Sequence, residues 1–261
     1  MEQRRELSPT EWRAAFRQGR AQGQTSALAP GYQQANIAIV PAAVADEFEA
    51  FLRANPLACP LLARGRAGDP GLPELGADID IRSDLPRYRL FDAGYPAGLL
   101  TDVTDAWRDD FVPFAIGCSL SFEADLVAGG VALRCHAPGV SCSAFDSSIP
   151  NHPAGCFGGN MVVSMRAVPA DQVDLATELT RRHPEAHGAP VHAGDPARIG
   201  VNLSRPIDGL GLTDIRAGEV PVFWACGVTL ERAIESAGLT AITHAPGHML
   251  ITDLPTGQGR G

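Results

Sequence analysis

"PFAIGCSLSFEADL", residues 113–126, decides how the rest of the chain is read. An apolar run meets Gly117-Cys118-Ser119, a second hydroxyl follows at Ser121, and a carboxylate stands at Glu123. An unbroken apolar run closed by a small residue reads as a buried strand. Phe122 and Leu126, four apart, mark one face of a helix that Gly129-Gly130 should end. "PVFWACGVTLERAI", residues 221–234, repeats the theme: an apolar strand, Cys226-Gly227, and a helix from Thr229.

Outward from these two corners the same alternation continues. Ser8-Pro9-Thr10-Glu11 is a helix start, with a capping hydroxyl, a proline suited to the first turn and a glutamate able to reach back. Ile37 to Val40 reads as a buried strand. Pro41 opens a helix with Val44, Phe48, Phe51 and Leu52 on one face, stopped by Asn55-Pro56. A short helix is expected around 101–108, strands at 161–165 and 199–201, a helix over 170–181, and a final strand pair flanking "THAPGH" (243–248). Residues 64–100 read as mainly loop with short strands left open, 130–160 and 184–218 are loop-rich, and no 20–50-residue repeat stands out. Strands alternating with helices indicate an α/β protein. The expected form has two parts, a mixed sheet flanked by helices and a smaller α+β second domain. The loop-rich segments place the main part at 1–128 plus 220–261 and the smaller at 129–219.

The chain has 261 residues, 45% of them apolar and 20% charged, enough to bury a substantial core. Its net charge of −9 argues against a nucleic-acid partner, while a small anionic ligand needs only one local cation. The start of the chain has no apolar signal core and no stretch approaches a membrane span, so a cytoplasmic protein without a membrane partner is expected. Six cysteines without a C-x-x-C pair read as free thiols.

Several clusters bear on chemistry. The end of a strand followed by a helix start offers backbone amides to an anion and lowers a nearby thiol's pKa. Cys118 is thus a candidate nucleophile or acid/base and Glu123 a candidate general base. The alternative is a small buried thiol behind a helix capped by Ser119 or Ser121 with Glu123 as capping partner. Cys226 and Thr229 form a second such corner, and core packing explains it equally well. If "ADIDIRSD" (77–84) is extended, Asp78, Asp80, Arg82 and Asp84 share a face that suits an amino acid's two charges. A solvated edge with self-compensating charges is the alternative. His183 and His187 have proline between them, and His244 and His248 flank a turn, so no metal site is expected. His244, just after an apolar strand, is the better acid/base candidate. No nucleotide-binding fingerprint appears, and no cofactor is expected.

Seven blocks taken together carry a resemblance. They are "GYQQANIAIVP" (31–41), "NPLACPLL" (55–62), "DIDIRSDLPRYRL" (78–90), "FAIGCSLSFEADL" (114–126), "MVVSMRAV" (161–168), "PVFWACGVTLE" (221–231) and "ITHAPGHMLITD" (242–253). In this order, from about residue 5 to 254, they resemble the D-glutamate cyclase and hydro-lyase family. That resemblance implies a cofactor-independent dehydration of a small amino or hydroxy acid, with closure of D-glutamate to 5-oxo-D-proline as the characterised reaction. In such a reaction Arg82 or Arg166 would anchor the α-carboxylate and the Cys118-Ser119 amides would form an oxyanion site. Glu123 or His244 would shuttle the proton, with Cys118 as the third catalytic candidate. Asp80, Ser119, Ser121, Cys226 and Asn36 complete the expected substrate-binding set.

Other outcomes left open are a lactam-opening hydrolase, a β-elimination dehydratase and a non-catalytic binding protein. The expected partner is a small carboxylic acid, with a homodimer also left open. The chain departs from the family at Phe145-Asp146-Ser147-Ser148, at Cys156 and at Ala167. If that loop lines the pocket, Asp146 in place of a basic residue weakens the case for a dicarboxylic substrate.

Overall fold

Ser8 accepts from the Glu11 amide while the Glu11 carboxylate accepts from the Ser8 amide, so α1 (Pro9–Arg17) starts on the reciprocal cap its sequence encodes. The computed structural model describes residues 6–136, 140–209 and 211–257. After α1 the chain enters β1 (Tyr32–Pro41), whose middle residues are all buried. Helix α2 (Ala42–Ala54) follows, burying Phe48, Phe51 and Leu52 as the 3.6-residue spacing requires.

The larger sheet runs β2 (Leu61–Arg64), β5 (Phe111–Gly117), β1, β10 (Ala241–His244), β3 (Tyr88–Asp92), β4 (Tyr95–Leu100), and β11 (Leu250–Pro255) also pairs with β1. The smaller sheet runs β6 (Ser143–Pro150), β7 (Asn160–Pro169), β9 (Glu219–Ala225), β8 (His192–Ala193), with α4 (Val173–Arg181) between β7 and β8 in the chain. Every ladder in both sheets is antiparallel. The α/β content and the smaller second sheet agree with expectation, while the strand directions place no parallel crossover between neighbours. Strand β9 belongs to the smaller sheet, and the chain returns to the larger one only through α5 (Thr229–Ala237).

One apolar cluster draws on both sheets. It joins Val40, Phe48 and Phe114 to Phe145, Met165 and Phe223. The two sheets therefore share a core, and what separates them is a seam rather than a linker.

Four local expectations differ from the structure. Residues 104–106 form a single 3-10 turn in place of a helix over 101–108. Pro196–Ile199 is likewise a 3-10 turn, and no strand forms at the expected 199–201. Strands β3 and β4 lie inside a segment read as mainly loop, joined by Ala93 and Gly94 with φ of 47° and 81°. Two successive positive φ values make the tight hairpin turn that matches strand twist. β6 also lies in a loop-rich segment, because it turns Ser143 and Ser147 inward beside Phe145 and so lacks an apolar alternation.

The acidic segment 77–84 is a run of turns, not a strand. Asp78 binds Arg13, Asp84 takes a bidentate contact from Arg17 at 2.7 Å, and Asp80 pairs with Arg82 at 2.6 Å. Its charges thus fasten α1 and one another, and Asp80 and Arg82 are not brought to the candidate site described below.

Candidate functional site

The two corners meet at the seam between the sheets. At the first, β5 ends at Gly117, where an added Cβ would lie 1.6 Å from the Glu185 carbonyl oxygen, so only glycine fits. Cys118 follows in extended conformation, then one 3-10 turn (Ser119–Phe122) leads into α3 (Glu123–Ala128). At the second, β9 ends at Ala225, and Cys226 and Gly227 lead into α5.

The corners match in detail. Val112, Pro113, Cys118, Glu123 and Gly130 correspond in order to Val220, Pro221, Cys226, Glu231 and Gly238. The Ser121 amide donates to the Cys118 carbonyl, and the Thr229 amide to the Cys226 carbonyl, each at 3.0 Å. Ser121 Oγ accepts from the Gln34 amide of β1 at 2.8 Å, and Thr229 Oγ1 from the Val162 amide of β7 at 3.0 Å. Two residues further along those strands stand Asn36 and Ser164, and both line the pocket between the corners.

That pocket is small and partly open to solvent. Five of the sequence-predicted residues line it: Asn36, Cys118, Ser119, Cys226 and His244. Ser141, Cys142, Ser164 and Met249 line it too and were not anticipated. Ser164 had a readable signal, since a serine and an arginine two apart inside "MVVSMRAV" put two polar groups on one face of a buried strand.

Glu123, Ser121 and Arg166 lie outside the lining. Ser121 is spent on β1, and neither it nor Ser119 caps a helix through its side chain. Glu123 and Arg166 form a fully buried ion pair, with Nε and Nη2 donating to Oε1 at 2.9 and 2.6 Å. The guanidinium sits over Phe122 and Trp224, with ring centroids at 5.0 and 5.3 Å. It also donates from Nη2 to Ser119 Oγ at 3.0 Å and from Nη1 to Ser164 Oγ at 3.1 Å. The two hydroxyl oxygens lie 3.4 Å apart.

Arginine only donates, so both hydroxyls must accept from it and keep their own hydrogens to give. If one serine donates to the other, one hydrogen still faces the pocket. A buried cation behind two hydroxyls therefore makes an anion-seeking wall without itself entering the cavity. Burial works against the Arg166 charge, but Cys142 and Glu123 nearby outweigh it and raise its pKa.

His244 ends β10 with Nδ1 against the Ile37 peptide, 3.3 Å from the amide nitrogen and 3.2 Å from the carbonyl oxygen, so its tautomer decides which of the two it pairs with. Burial pulls its pKa down to about 4, so at neutral pH it is an uncharged imidazole. Burial also holds the Cys118 thiol well above its usual range and pushes Cys226 up to about 12. Asn36 Nδ2 donates to the Gly117 carbonyl at 2.7 Å, and its amide lies where a Cβ on Gly227 would be, 2.2 Å away. The glycine of one corner thus makes room for the side chain that braces the other.

Behind the second corner, buried Glu231 accepts from Thr243 Oγ1 at 3.1 Å and pairs with Arg89 at 2.8 Å. Burial lifts its pKa to about 7. Among the described residues no group of three or more His, Cys, Asp or Glu is placed to hold a metal ion, and no helix is long and apolar enough to cross a membrane.

The family model for D-glutamate cyclase matches residues 112–253, a span that contains both corners. The chain belongs to the D-glutamate cyclase family. A protein of Bordetella petrii named "Putative hydro-lyase" is 51% identical over 95% of each chain. Relatives of the same name from Rhizobium johnstonii and a Jannaschia species are 50% and 48% identical, over 95% and 93% of this chain and 93% and 91% of their own. Family and relatives together support a hydro-lyase-like function. A nitrogen repressor-like protein from Methanococcus jannaschii matches 97% of this chain and all of its own at a TM-score of 0.41 and 10% identity, too distant a likeness to carry an argument.

Phe145, Asp146, Ser147, Ser148, Cys156 and Ala167 all lie away from the pocket lining. Asp146 is exposed and clasped by Arg232 of α5 at 2.7 and 3.0 Å, while Ala144 of the same strand lines the pocket. Phe145 is in the shared core, and Cys156 is exposed with its amide on Glu47. Asp146 therefore adds no charge to the lining.

Proposed function

We propose that the pocket between the corners closes D-glutamate to 5-oxo-D-proline. The observation that carries this reading is the pair of serine hydroxyls whose acceptor sites Arg166 already occupies. They suit the α-carboxylate, with the buried guanidinium stabilising its charge through them. This replaces a direct bidentate contact from Arg166 or Arg82. It also gives Glu123 the role of holding Arg166 in place rather than of moving protons.

Ring closure needs a neutral amine, a γ-carboxyl within reach and a proton for the departing oxygen. The amine nitrogen attacks the γ-carbon, a C–N bond forms, and one carboxyl oxygen leaves as water. In the tautomer with its proton on Nδ1 toward the Ile37 carbonyl, His244 offers Nε2 to take two protons in turn from the nitrogen and pass both to that oxygen, which leaves as water. A pKa near 4 keeps the imidazole in its accepting form at neutral pH. The backbone turn at Cys118-Ser119 supplies donors for the tetrahedral oxyanion.

The test is incubation of the pure protein with D-glutamate, 5-oxoproline and short hydroxy acids, followed by mass. Loss of one water from D-glutamate with 5-oxo-D-proline as product supports the reading, and loss of water from a hydroxy acid alone replaces it with β-elimination. Heat of binding without a mass change on any of them identifies a binding protein and overturns it. Ser119→Ala combined with Ser164→Ala should lower kcat/KM by roughly 10²-fold or more, mostly through KM.

A further inference from the structure

Three thiols that lactam closure does not use line the pocket, Cys118, Cys142 and Cys226, and two of them sit at matched positions. Cys118 and Cys226 occupy the same position in the two matched corners, one at the end of a strand in each sheet, and both line the cavity. Each follows the last strand residue, and each carbonyl accepts from the amide three residues on. The backbone N–H two residues on, from Leu120 and from Val228, acts on each sulfur in the direction that favours thiolate. Two acid–base groups of one kind, delivered to one small cavity by a repeated motif, are what removal and return of a proton at a single carbon requires.

We propose that Cys118 and Cys226 form a two-thiol acid–base pair that exchanges the α-proton of an amino acid or its lactam and interconverts its enantiomers. The proposal rests on the carboxylate seat of the preceding reading, but not on ring closure. In the first step one thiol gives its proton to neutral His244, leaving a thiolate beside an imidazolium. The thiolate removes the α-hydrogen and becomes S–H. The C–H electron pair moves into the carboxylate, which is held as an enediolate by the Ser119 and Ser164 hydroxyls with Arg166 behind them. The second thiol then donates its proton to the other face of the carbon and becomes the thiolate. One C–H bond breaks and one forms, no oxidant or reductant is needed, and the two sulfurs have exchanged protonation states. Burial holds both sulfurs as thiols and His244 uncharged, so this first transfer runs uphill and limits the rate of the cycle.

The experiment incubates the full chain in D2O with D-glutamate, L-glutamate and 5-oxoproline, reading α-deuterium by mass and enantiomer by chiral chromatography. Deuterium at Cα, with interconversion slowed at least 10²-fold in Cys118→Ala and in Cys226→Ala, is the expected result. Each single variant should still exchange the enantiomer served by its remaining thiol, and the two should differ in which one that is. Absence of α-deuterium with all three probes overturns the proposal, as does unchanged interconversion in the variants. Melting curves of both variants show whether a loss reflects unfolding. Loss of water from D-glutamate without α-exchange leaves the cyclase reading standing and removes this one, and exchange without loss of water does the reverse.

Discussion

The two corners share a backbone and a thiol but spend their next residue differently. At the first, Ser119 carries a hydroxyl that Arg166 polarises. At the second, Gly227 carries nothing, and Asn36 fills the space. One corner supplies a grip for an anion and the other supplies shape. Their buried glutamates differ in the same way. Glu123 is bound by two nitrogens of Arg166, whereas Glu231 has one contact each from Arg89 and Thr243 and is pushed by burial to a pKa of about 7. A repeated scaffold has thus been made into an asymmetric site by its side chains and by the extra 3-10 turn of the first corner.

The largest break in that comparison is Arg166→Leu. It leaves Glu123 buried without its cation, and a destabilisation of about 3–5 kcal/mol is expected in urea unfolding. Adding Glu123→Leu should recover part of the stability without recovering turnover, because the serines lose their partner either way.

Gly227→Ser copies the first corner's residue into the second. Its Cβ meets Asn36 at 2.2 Å, so a cost of about 1–3 kcal/mol and a drop in kcat are expected. The reciprocal Ser119→Gly should keep most of the stability and raise KM by roughly tenfold, the cost of one hydrogen bond to a charged group. Equal effects from the two exchanges would mean that the corners are interchangeable.

Titration sharpens the contrast. The Glu231 carboxyl has its pKa raised by burial, so the folded chain holds its proton more tightly than the unfolded one. Stability from this group is complete below about 4.5 and is lost as pH rises toward about 7. His244 runs oppositely. Its lowered pKa makes the unfolded chain the better proton binder, so its share is complete above about 6.5 and lost as pH falls toward about 4. Glu231→Gln should flatten the first slope and His244→Asn the second, each by on the order of 2 kcal/mol in denaturation followed across pH. The smallest effect belongs to Asp146→Asn. It breaks an exposed pair with Arg232 and should change stability by less than about 1 kcal/mol and leave KM unchanged.

Much of the site was legible in the residues. Two apolar runs closed by a cysteine and followed by a helix pattern located both corners, and the histidine after the "AIT" run located the third wall. What misled was local chemistry read without its partners. Alternating charges in 78–84 looked like a ligand face, yet they fasten α1, since Arg13 and Arg17 project from a helix more than sixty residues earlier. Ser121 and Glu123 looked like a cap and a base, yet one is spent on β1 and the other on β7.

Periodicity and turn chemistry are local, and by themselves they determined α1, α2, the buried strands β1, β5, β7 and β9, and the two thiol-bearing corners. Only the tertiary structure decided that β9 leaves the larger sheet, that the corners face each other across a seam, and that Arg166 stands behind two serines rather than on a ligand. Strand pairing and the burial of charge depend on residues far apart in the chain. A buried ion finds its place only where an opposite charge and enough hydrogen bonds meet it, and no single stretch of this sequence holds all of those groups.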